Sequence, residues 1–307
     1  MKEATKTISI EGIESKPVVD ALLSFKSGWS DLTRPALLSL ACEAVGGNPK
    51  ITDPVAIATS HISGAIEIID DVIDESTVKH NHQTIVGKFG SNVTLLISTA
   101  LLFTGFTELY KLQEKNVSPK MFERIVKIIK KGFFELGDAT SLELSFRGRT
   151  DVTPEEYLYM VKKKAADVEM HTHIGAILGG GSEQETRILR EYGRSLGMLM
   201  ILRDDMEDML DFGGELLHRV EKEALPLPLI YSLNKLEGKK DIIQILERKK
   251  RDQKDMEKIV DITYRTGGLE AFGEKMREIA ERAASRVDQV KCKQELEVLI
   301  AATIPPI

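Results

Sequence analysis

Two short acidic segments, residues 70–74 (DDVID) and 204–208 (DDMED), follow stretches of mainly apolar residues. In an α-helix, residues four apart share a face, so Asp70 lies one turn from Asp74 and Asp204 one turn from Asp208. Carboxylates at that spacing repel each other. The repulsion reverses if two such helices bind several Mg²⁺ ions, which prefer oxygen ligands and keep further coordination positions for phosphate oxygens and water. The two segments therefore predict a diphosphate ligand held through Mg²⁺.

One acidic segment alone would be explained equally well as a solvated helix end with excess acid. Two copies favour metal binding, because each follows a strongly apolar turn, residues 66–69 before the first and 197–202 before the second. The carboxylates are thus predicted at the end of a buried helix face. Without cations, their mutual repulsion would raise some of the carboxylate pKa values, and the group would titrate as a unit.

Composition limits the class of protein. The 307 residues are 42% hydrophobic and 29% charged, which suffices for a sizeable core. The net charge of −6 and the pI of about 5.7 argue against nucleic acid as a partner. The two cysteines, Cys42 and Cys292, lie far apart and form no CxxC pattern, so we expect neither a disulfide framework nor a zinc site. A reducing cytoplasm fits this composition.

Apolar residues recurring with a helical period indicate an all-α fold. Strand patterns are scarce, and the ten prolines lie mostly at segment edges. Thr153 and Ser118 each precede a proline, which predicts two helix starts, whereas glycine-rich residues 46–49 and 179–182 predict helix ends. No low-complexity linker divides the chain, so we expect one helical domain, residues 1–307, with a central cavity. The most apolar run, 93–103, is too short to span a bilayer, and no transmembrane segment is expected.

Several motifs together resemble the trans-type polyprenyl diphosphate synthase family over nearly the whole chain. Besides the two acidic segments, these motifs are residues 34–38 (RPALL), Thr84 together with residues 89–90 (FG), 164–166 (KAA), 192–197 (YGRSLG) and 222–226 (KEALP). The resemblance implies an antiparallel helical bundle around a deep central pocket, usually as a homodimer. It also implies that Mg²⁺ ions bind an allylic isoprenoid diphosphate. Departure of its pyrophosphate leaves an allylic carbocation, which the double bond of isopentenyl diphosphate then attacks.

The resemblance carries over to particular residues. Catalytic roles are implied for both acidic segments and two lysines that reach the departing pyrophosphate: Asp70, Asp71, Asp74, Asp204, Asp205, Asp208, Lys164 and Lys222. The implied metal ligands are Asp70, Asp71, Asp74, Asp204 and Asp208. Substrate-binding positions are Arg34, Lys79, His80, Thr84, Ala65 and Ile66. In the family, the last two set product length by side-chain bulk, and since neither is aromatic here, products longer than farnesyl are expected.

The chain departs from the family at the subsite for isopentenyl diphosphate. The family's Gly-Gly-Lys-Arg-x-Arg-Pro reads WSDLTRP at residues 29–35, and its Arg-Arg-Gly-x-Pro-Thr reads KHNHQT at 79–84. Charge-assisted contacts contribute about 1.5–3 kcal/mol each, so these losses would weaken the acceptor unless other cations replace them. Candidates for that replacement are Lys26, Lys79, Lys88, His80 and His82. We expect Asp31 to repel the acceptor, and Asp31→Lys to strengthen its binding.

Three functions remain open on the sequence. Chain elongation with isopentenyl diphosphate is favoured, on the family pattern. The altered acceptor subsite instead favours the same ionisation diverted to terpene cyclisation or to a different prenyl acceptor. A non-catalytic subunit of a heteromeric synthase is the least favoured, because it would have no reason to keep so many carboxylates.

Overall fold

The computed structural model describes residues 8, 10–79, 82–211 and 214–304, and the prediction of an all-α fold is confirmed. The α-helices are α1 (Lys16–Gly28), α2 (Thr33–Ala44), α3 (Asp53–Ile73), α4 (Ile85–Glu108), α5 (Pro119–Phe146), α6 (Pro154–Lys164), α7 (Ala166–Leu178), α8 (Glu183–Leu210), α9 (Glu215–Lys222), α10 (Leu227–Leu233), α11 (Lys239–Leu246), α12 (Gln253–Arg265), α13 (Gly268–Ala284) and α14 (Lys293–Thr303). Short 3₁₀ segments occupy Pro49–Thr52, Leu109–Lys115 and Val287–Gln289. The chain divides into two compact units, residues 1–128 with 171–183, and residues 129–170 with 184–307.

The first unit is organised around the packing of α3 along α4, with α1 lying against α4. Gly105 on α4 permits this close approach, because a Cβ there would lie 2.7 Å from the Ala58 carbonyl oxygen on α3. The buried side chains of Phe25 on α1, Ile68 on α3 and Leu101 on α4 join the three helices in one hydrophobic cluster. This cluster supports the end of α3 where the first acidic segment lies.

A two-stranded hairpin connects α3 to α4. Its strands, β1 (Val78–Lys79) and β2 (His82–Gln83), are antiparallel, with Val78 opposite Gln83. The hairpin ends at Thr84, whose hydroxyl accepts a hydrogen bond from the Gly87 N–H and thereby caps α4. Because the hairpin is short, Lys79 on β1 lies close to the end of α3.

The second unit has α10 packed against α13 and α6 against α10. The start of α6 has a capping box, as the Thr153–Pro154 pair predicts: the Thr153 hydroxyl accepts from the Glu156 N–H, and the Glu156 carboxylate accepts from the Thr153 N–H. Deeper in the unit, the buried Tyr192 hydroxyl on α8 donates to the Leu296 carbonyl at 2.9 Å. These contacts fix α6 and α8, which carry site residues.

One face of α4 is both apolar and exposed. Leu95, Leu96, Phe103 and Phe106 lie on this face, and Tyr110 follows in the next segment. The continuous stretch Ile85–Lys115 is long and apolar enough to cross a membrane by length and composition, although core helices pass the same test. The helix is therefore longer than the apolar run 93–103 on which the sequence-based expectation rested.

Candidate active site

The first acidic segment lies at the C-terminal end of α3. Asp70 and Asp71 belong to its last turn, and the Asp74 N–H ends the helix by donating to the Asp70 carbonyl at 2.8 Å. Asp71 is buried, whereas Asp70 and Asp74 are partly exposed. The C-terminus of a helix carries partial negative charge, so three carboxylates there are unfavourable without a cation. The position therefore favours cation binding.

Lys79 supplies one positive charge at this end of α3. Its ammonium nitrogen lies 2.7 Å from the Oδ1 atom of Asp71. The Lys79 side chain is 39% exposed and that of Asp71 only 9%. The Lys79 side chain is thus partly exposed to solvent, while the carboxylate that it pairs with is buried.

A cleft of about 560 Å³ opens beside this ion pair, inside the first unit. It is lined by Ser24, Phe25, Gly28, Trp29, Glu67, Ile68, Asp71, Lys79, His82, Gln83, Thr84, Ile85 and Lys88. The Trp29 indole stacks on Phe25 with ring centroids 5.2 Å apart, and its Nε1 donates to the Glu67 carboxylate at 2.9 Å. The cleft therefore has one rigid aromatic wall and a rim of charged groups.

Of the substrate-binding positions expected from the sequence, Lys79 and Thr84 line this cleft. Arg34 and its neighbour Asp31 lie instead at the start of α2. The Asp31 carboxylate accepts from the Thr33 and Arg34 N–H groups at 3.0 and 3.1 Å and pairs with the Arg34 guanidinium at 3.3 Å. Asp31 thus has a capping role, with its charge compensated, and the expectation that Asp31→Lys strengthens acceptor binding loses its basis. His80 lies outside the described residues.

The two positions expected to set product length differ in their surroundings. Ala65 is fully buried in the hydrophobic cluster with Leu22, Phe25 and Leu101. Ile66, on the adjoining face of α3, is partly exposed. That these two positions set product length stays a prediction.

The second acidic segment occupies the last two turns of α8, and Asp205 is its buried member. Its carboxylate accepts hydrogen bonds from the Tyr157 hydroxyl at 2.8 Å, from the Arg219 guanidinium at 2.5 Å and from the Leu227 N–H at 3.1 Å. Arg219 also pairs with Asp208. Asp205 therefore joins α6, α8, α9 and the start of α10.

The pKa of Asp204 is raised above its ordinary value. Partial desolvation is the largest cause, and together with the charges of Glu207, Asp205 and Asp208 it outweighs Arg203 and raises the pKa to about 6, although the residue reaches solvent. Burial also raises the pKa of Asp205, against the opposing effects of Arg219, the Leu227 N–H and Tyr157. A cation beside Asp204 would stabilise its ionised form.

The two lysines expected to reach pyrophosphate lie at the ends of α6 and α9. The Lys164 ammonium lies 2.6 Å from the Glu143 carboxylate on α5, and Lys222 is exposed in the last turn of α9. Burial would raise the pKa of Glu143, but Lys164, Arg219 and Arg147 together lower it below its ordinary value. Glu143 is therefore ionised and holds Lys164 in place.

Sequence reasoning missed Tyr157, Arg219, Glu143 and the contact between Trp29 and Glu67. Tyr157 and Glu143 read as ordinary members of amphipathic helices, and their partners lie 48 and 21 positions away along the chain. Arg219 offered a weak signal, because it lies close along the chain to the second acidic segment and to Lys222.

The carboxylates fit Mg²⁺ bound jointly with a diphosphate. Among the residues that the structure describes, no three His, Cys, Asp or Glu side chains are gathered into a site made of protein ligands alone. The acidic segments nevertheless offer hard oxygen donors, and Mg²⁺ usually takes one or two carboxylates and completes its shell with phosphate and water oxygens. The exposure of Asp204, and the partial exposure of Asp70 and Asp74 at the end of α3, support this fit.

An all-α fold with acidic segments ending two of its helices defines a protein of the isoprenoid synthase class. Residues 27–263 match the family model described as polyprenyl synthetase. The chain therefore belongs to the polyprenyl synthetase family, which confirms the predicted family and its enzyme class, the prenyltransferases.

Relatives with related names match large parts of the chain. A short chain isoprenyl diphosphate synthase from Methanothermobacter thermautotrophicus is 29% identical over 87% of this chain and 79% of its own length. Geranylgeranyl diphosphate synthase from Methanosarcina mazei is 32% identical over 57% of this chain, and the match spans about half, 54%, of that relative. The solved geranylgeranyl pyrophosphate synthetase from Pyrococcus horikoshii shares the fold, with a TM-score of 0.88, 21% identity and coverage of 100% of this chain and 94% of that one.

Proposed function

We propose that this chain is a Mg²⁺-dependent prenyltransferase of isoprenoid biosynthesis that elongates an allylic diphosphate with isopentenyl diphosphate and releases pyrophosphate. The observation that carries the proposal is the placement of Asp204, which is exposed at the end of a helix, whereas its neighbours Asp205 and Asp208 are paired with Arg219. The names of the relatives, isoprenyl and geranylgeranyl diphosphate synthases, support the same substrates.

The metal sites would be formed by Asp70, Asp71 and Asp74 in one unit and by Asp204 with Asp208 in the other. When bound, Mg²⁺ supplies charge neutralisation for the diphosphate leaving group. A solved relative from Caulobacter crescentus is described as complexed with calcium and isoprenyl diphosphate, which supports divalent-metal binding in the family. We further propose that both units act together as one catalytic domain, residues 1–307.

The chain's own residues would then act on the leaving group. As the carbon–oxygen bond of the allylic diphosphate breaks, its electron pair leaves with pyrophosphate, and Lys164 and Lys222 stabilise the departing charge as point cations. Glu143 orients Lys164 through their 2.6 Å ion pair. The double bond of isopentenyl diphosphate forms the new carbon–carbon bond, and loss of a proton from that unit restores a double bond.

Product analysis with labelled isopentenyl diphosphate tests the proposal. We expect label in longer prenyl diphosphates, and a loss of at least 100-fold in kcat/KM for Asp70→Asn and Asp204→Asn, since electrostatic stabilisation of this kind contributes about 10²–10³-fold. Asp261→Asn is the matched control, because it removes an exposed acid on α12, outside the proposed ligand set and the acidic segments.

The same assay distinguishes the alternative functions. Trp29 and Asp31 stand where the resemblance led us to expect glycine and lysine, which favours a different acceptor or cyclisation as the second candidate. Unlabelled hydrocarbon or alcohol with released pyrophosphate would establish that candidate. No turnover with any allylic diphosphate would favour a subunit of a heteromeric synthase, since one relative is described as the large subunit of a heterodimeric enzyme.

We propose a homodimer that covers the exposed apolar face of α4. At about 100° per residue, Leu95, Leu96, Phe103 and Phe106 fall within one stripe of the helix. A stripe of this kind that stays exposed in a folded unit indicates an interaction surface. A second copy of the chain fits it, because the stripe carries no charge that would select a different partner. We also propose a cytoplasmic location, in which the buried Cys42 thiol would stay reduced.

A further inference from the structure

Two large aromatic side chains are exposed on adjoining helices of the second unit. Phe134 on α5 is 66% exposed, and Tyr159 on α6 is 56% exposed. The Lys163 ammonium on α6 lies 3.1 Å from the Asp138 carboxylate on α5, so the two helices are joined at this point. Phe134 lies one helical turn before Asp138. Tyr159 lies one turn before Lys163, so the two rings flank the same ion pair.

A lysine ammonium lies over each of the two rings. The Nζ atom of Lys130 is 5.5 Å from the centroid of the Phe134 ring, and that of Lys163 is 5.4 Å from the centroid of the Tyr159 ring. At such distances the cation is attracted to the face of the ring. Lysine stems can lie along apolar surface while the charged end stays in water. Each pair thus presents an apolar ring and a positive charge side by side.

Further exposed lysines stand beside these pairs. Lys131 on α5 and Lys162 on α6 each lie about 60° around the helix axis from the ring on the same helix, at about 100° per residue. The aromatic–lysine patch therefore consists of Lys130, Lys131, Phe134, Tyr159, Lys162 and Lys163.

The acids around the patch are largely compensated. Asp138 is paired with Lys163, and Glu135 with Arg194 on α8. Glu156 takes part in the capping box at the start of α6. The patch is therefore positive, in a chain whose net charge is −6.

We propose that the aromatic–lysine patch binds the surface of an anionic lipid bilayer, with Phe134 and Tyr159 inserted at the level of the headgroups. Aromatic rings are favoured at that depth, where the surroundings change from apolar to aqueous. Lysines near the surface are attracted by the negative potential of anionic lipids. The negative charge of the rest of the chain would orient the protein with this patch towards the lipid.

The composition of the patch favours lipid over a protein partner. Four of its six residues are lysines, which are depleted in protein interfaces, although aromatic residues are enriched there. The exposed stripe of α4 is different, because it carries no charge. Lipid binding does not depend on the proposed function, but it would bring a prenyl diphosphate synthase to the phase into which a long prenyl product partitions.

Flotation with lipid vesicles tests the proposal on the full chain without substrate. Vesicles of phosphatidylcholine alone are compared with vesicles of equal parts phosphatidylcholine and phosphatidylglycerol. We expect the wild type to bind the anionic vesicles about tenfold or more tightly than the neutral ones. Added salt should weaken this binding, because salt screens exposed charges. A wild type that does not distinguish the two kinds of vesicle would overturn the proposal.

Lys130→Gln/Lys131→Gln should weaken binding to anionic vesicles by about tenfold or more, since each lysine near such a surface contributes about fivefold. Lys249→Gln/Lys250→Gln is the matched control, because it removes two adjacent exposed lysines from the same unit but outside the patch. The control should bind nearly as tightly as the wild type. Equal losses in the two double variants would refute the patch, because binding would then follow net charge alone.

Phe134→Ser should weaken binding about tenfold at unchanged net charge, through the loss of inserted apolar area. Tyr264→Ser is its control, because Tyr264 is 71% exposed on α12 and lies outside the patch. Circular dichroism on each variant checks the fold. Wild-type affinity in the Phe134 variant would contradict insertion of the ring and with it the proposal.

Sedimentation velocity without vesicles tests a second copy of the chain as the alternative occupant. Phe134→Ser should leave the oligomeric state unchanged, whereas dissociation of an oligomer would assign the patch to an interface between copies and overturn the proposal. Elongation assays in vesicle-free buffer separate the two proposals. Turnover without vesicle binding refutes this inference alone, and vesicle binding without turnover refutes the proposed function alone.

Discussion

The Arg219 guanidinium lies 2.5 Å from the Asp205 carboxylate, and both side chains are buried. Arg219 brings a third helix, α9, to a carboxylate that already joins α8 to Tyr157 on α6. The surrounding carboxylates and the Tyr157 hydroxyl hold the pKa of Arg219 well above its ordinary value, against the effect of burial. The second acidic segment therefore contains one carboxylate, Asp205, that holds helices together, and a second, Asp208, that shares Arg219, whereas Asp204 is exposed.

Arg219→Gln should destabilise the protein strongly. It would leave Asp205 buried without its counter-charge, and breaking a buried ion pair in this way costs about 3–5 kcal/mol. Urea unfolding measures the loss. Arg265→Gln is the control, because Arg265 forms an exposed pair with Asp261 on α12, and such pairs contribute about 0–1 kcal/mol. Equal unfolding midpoints for the two variants would show that Arg219 has no special structural role.

Glu143→Gln should lower kcat while leaving KM for the allylic diphosphate nearly unchanged. Without the carboxylate, the Lys164 ammonium loses the 2.6 Å contact that orients it, and its stabilisation of the departing pyrophosphate weakens. We expect about a tenfold loss for Glu143→Gln and a larger one for Lys164→Gln, measured by steady-state kinetics. A double variant no worse than Lys164→Gln alone would show that Glu143 acts through Lys164. Additive losses would contradict that role.

The helices were largely predictable because their signals are local. The capping residue Thr153 and the apolar periods define most of them, whereas the short helices α9 and α14 were not predicted. At Gly90 the local signal misleads: α4 begins at Ile85 and continues through a kink at Gly90, whose φ of 76° a glycine adopts without strain.

The candidate site was predictable only in part. The acidic segments stand out because carboxylates are unexpected after apolar turns, and Lys79 stands out by its place after the first segment. The partners of these residues depend on tertiary packing: Trp29 meets Glu67 from 38 positions away, and Tyr157 meets Asp205 from 48. Asp31 shows the converse, since its position suggested a ligand contact whereas the backbone uses it as a helix cap.

Phe103→Glu should convert the proposed dimer to monomers. Phe103 is 70% exposed on the apolar stripe of α4, and a carboxylate there would be buried without a partner in any interface formed by that stripe. Sedimentation velocity measures the oligomeric state. Tyr264→Glu is the matched control, since Tyr264 is 71% exposed on α12 and lies outside the stripe. A monomeric wild type, or a Phe103→Glu variant that stays dimeric, would contradict the proposed interface.

His61 should make the protein less stable under mildly acidic conditions. Burial, the largest effect, and Lys111 lower the pKa of His61 below its ordinary 6.5, while Glu108 opposes them. The unfolded chain therefore binds a proton more readily than the folded state does. The stabilising contribution is present above pH 6.5 and is lost as the pH falls through the lowered pKa.

His61→Gln should flatten the dependence of the free energy of unfolding on pH, measured between pH 7.5 and 5, a range chosen to bracket the ordinary histidine pKa of about 6.5. His82→Gln, which removes an exposed histidine, should retain the wild-type slope. A wild-type slope in the His61 variant would assign the acid sensitivity to other groups.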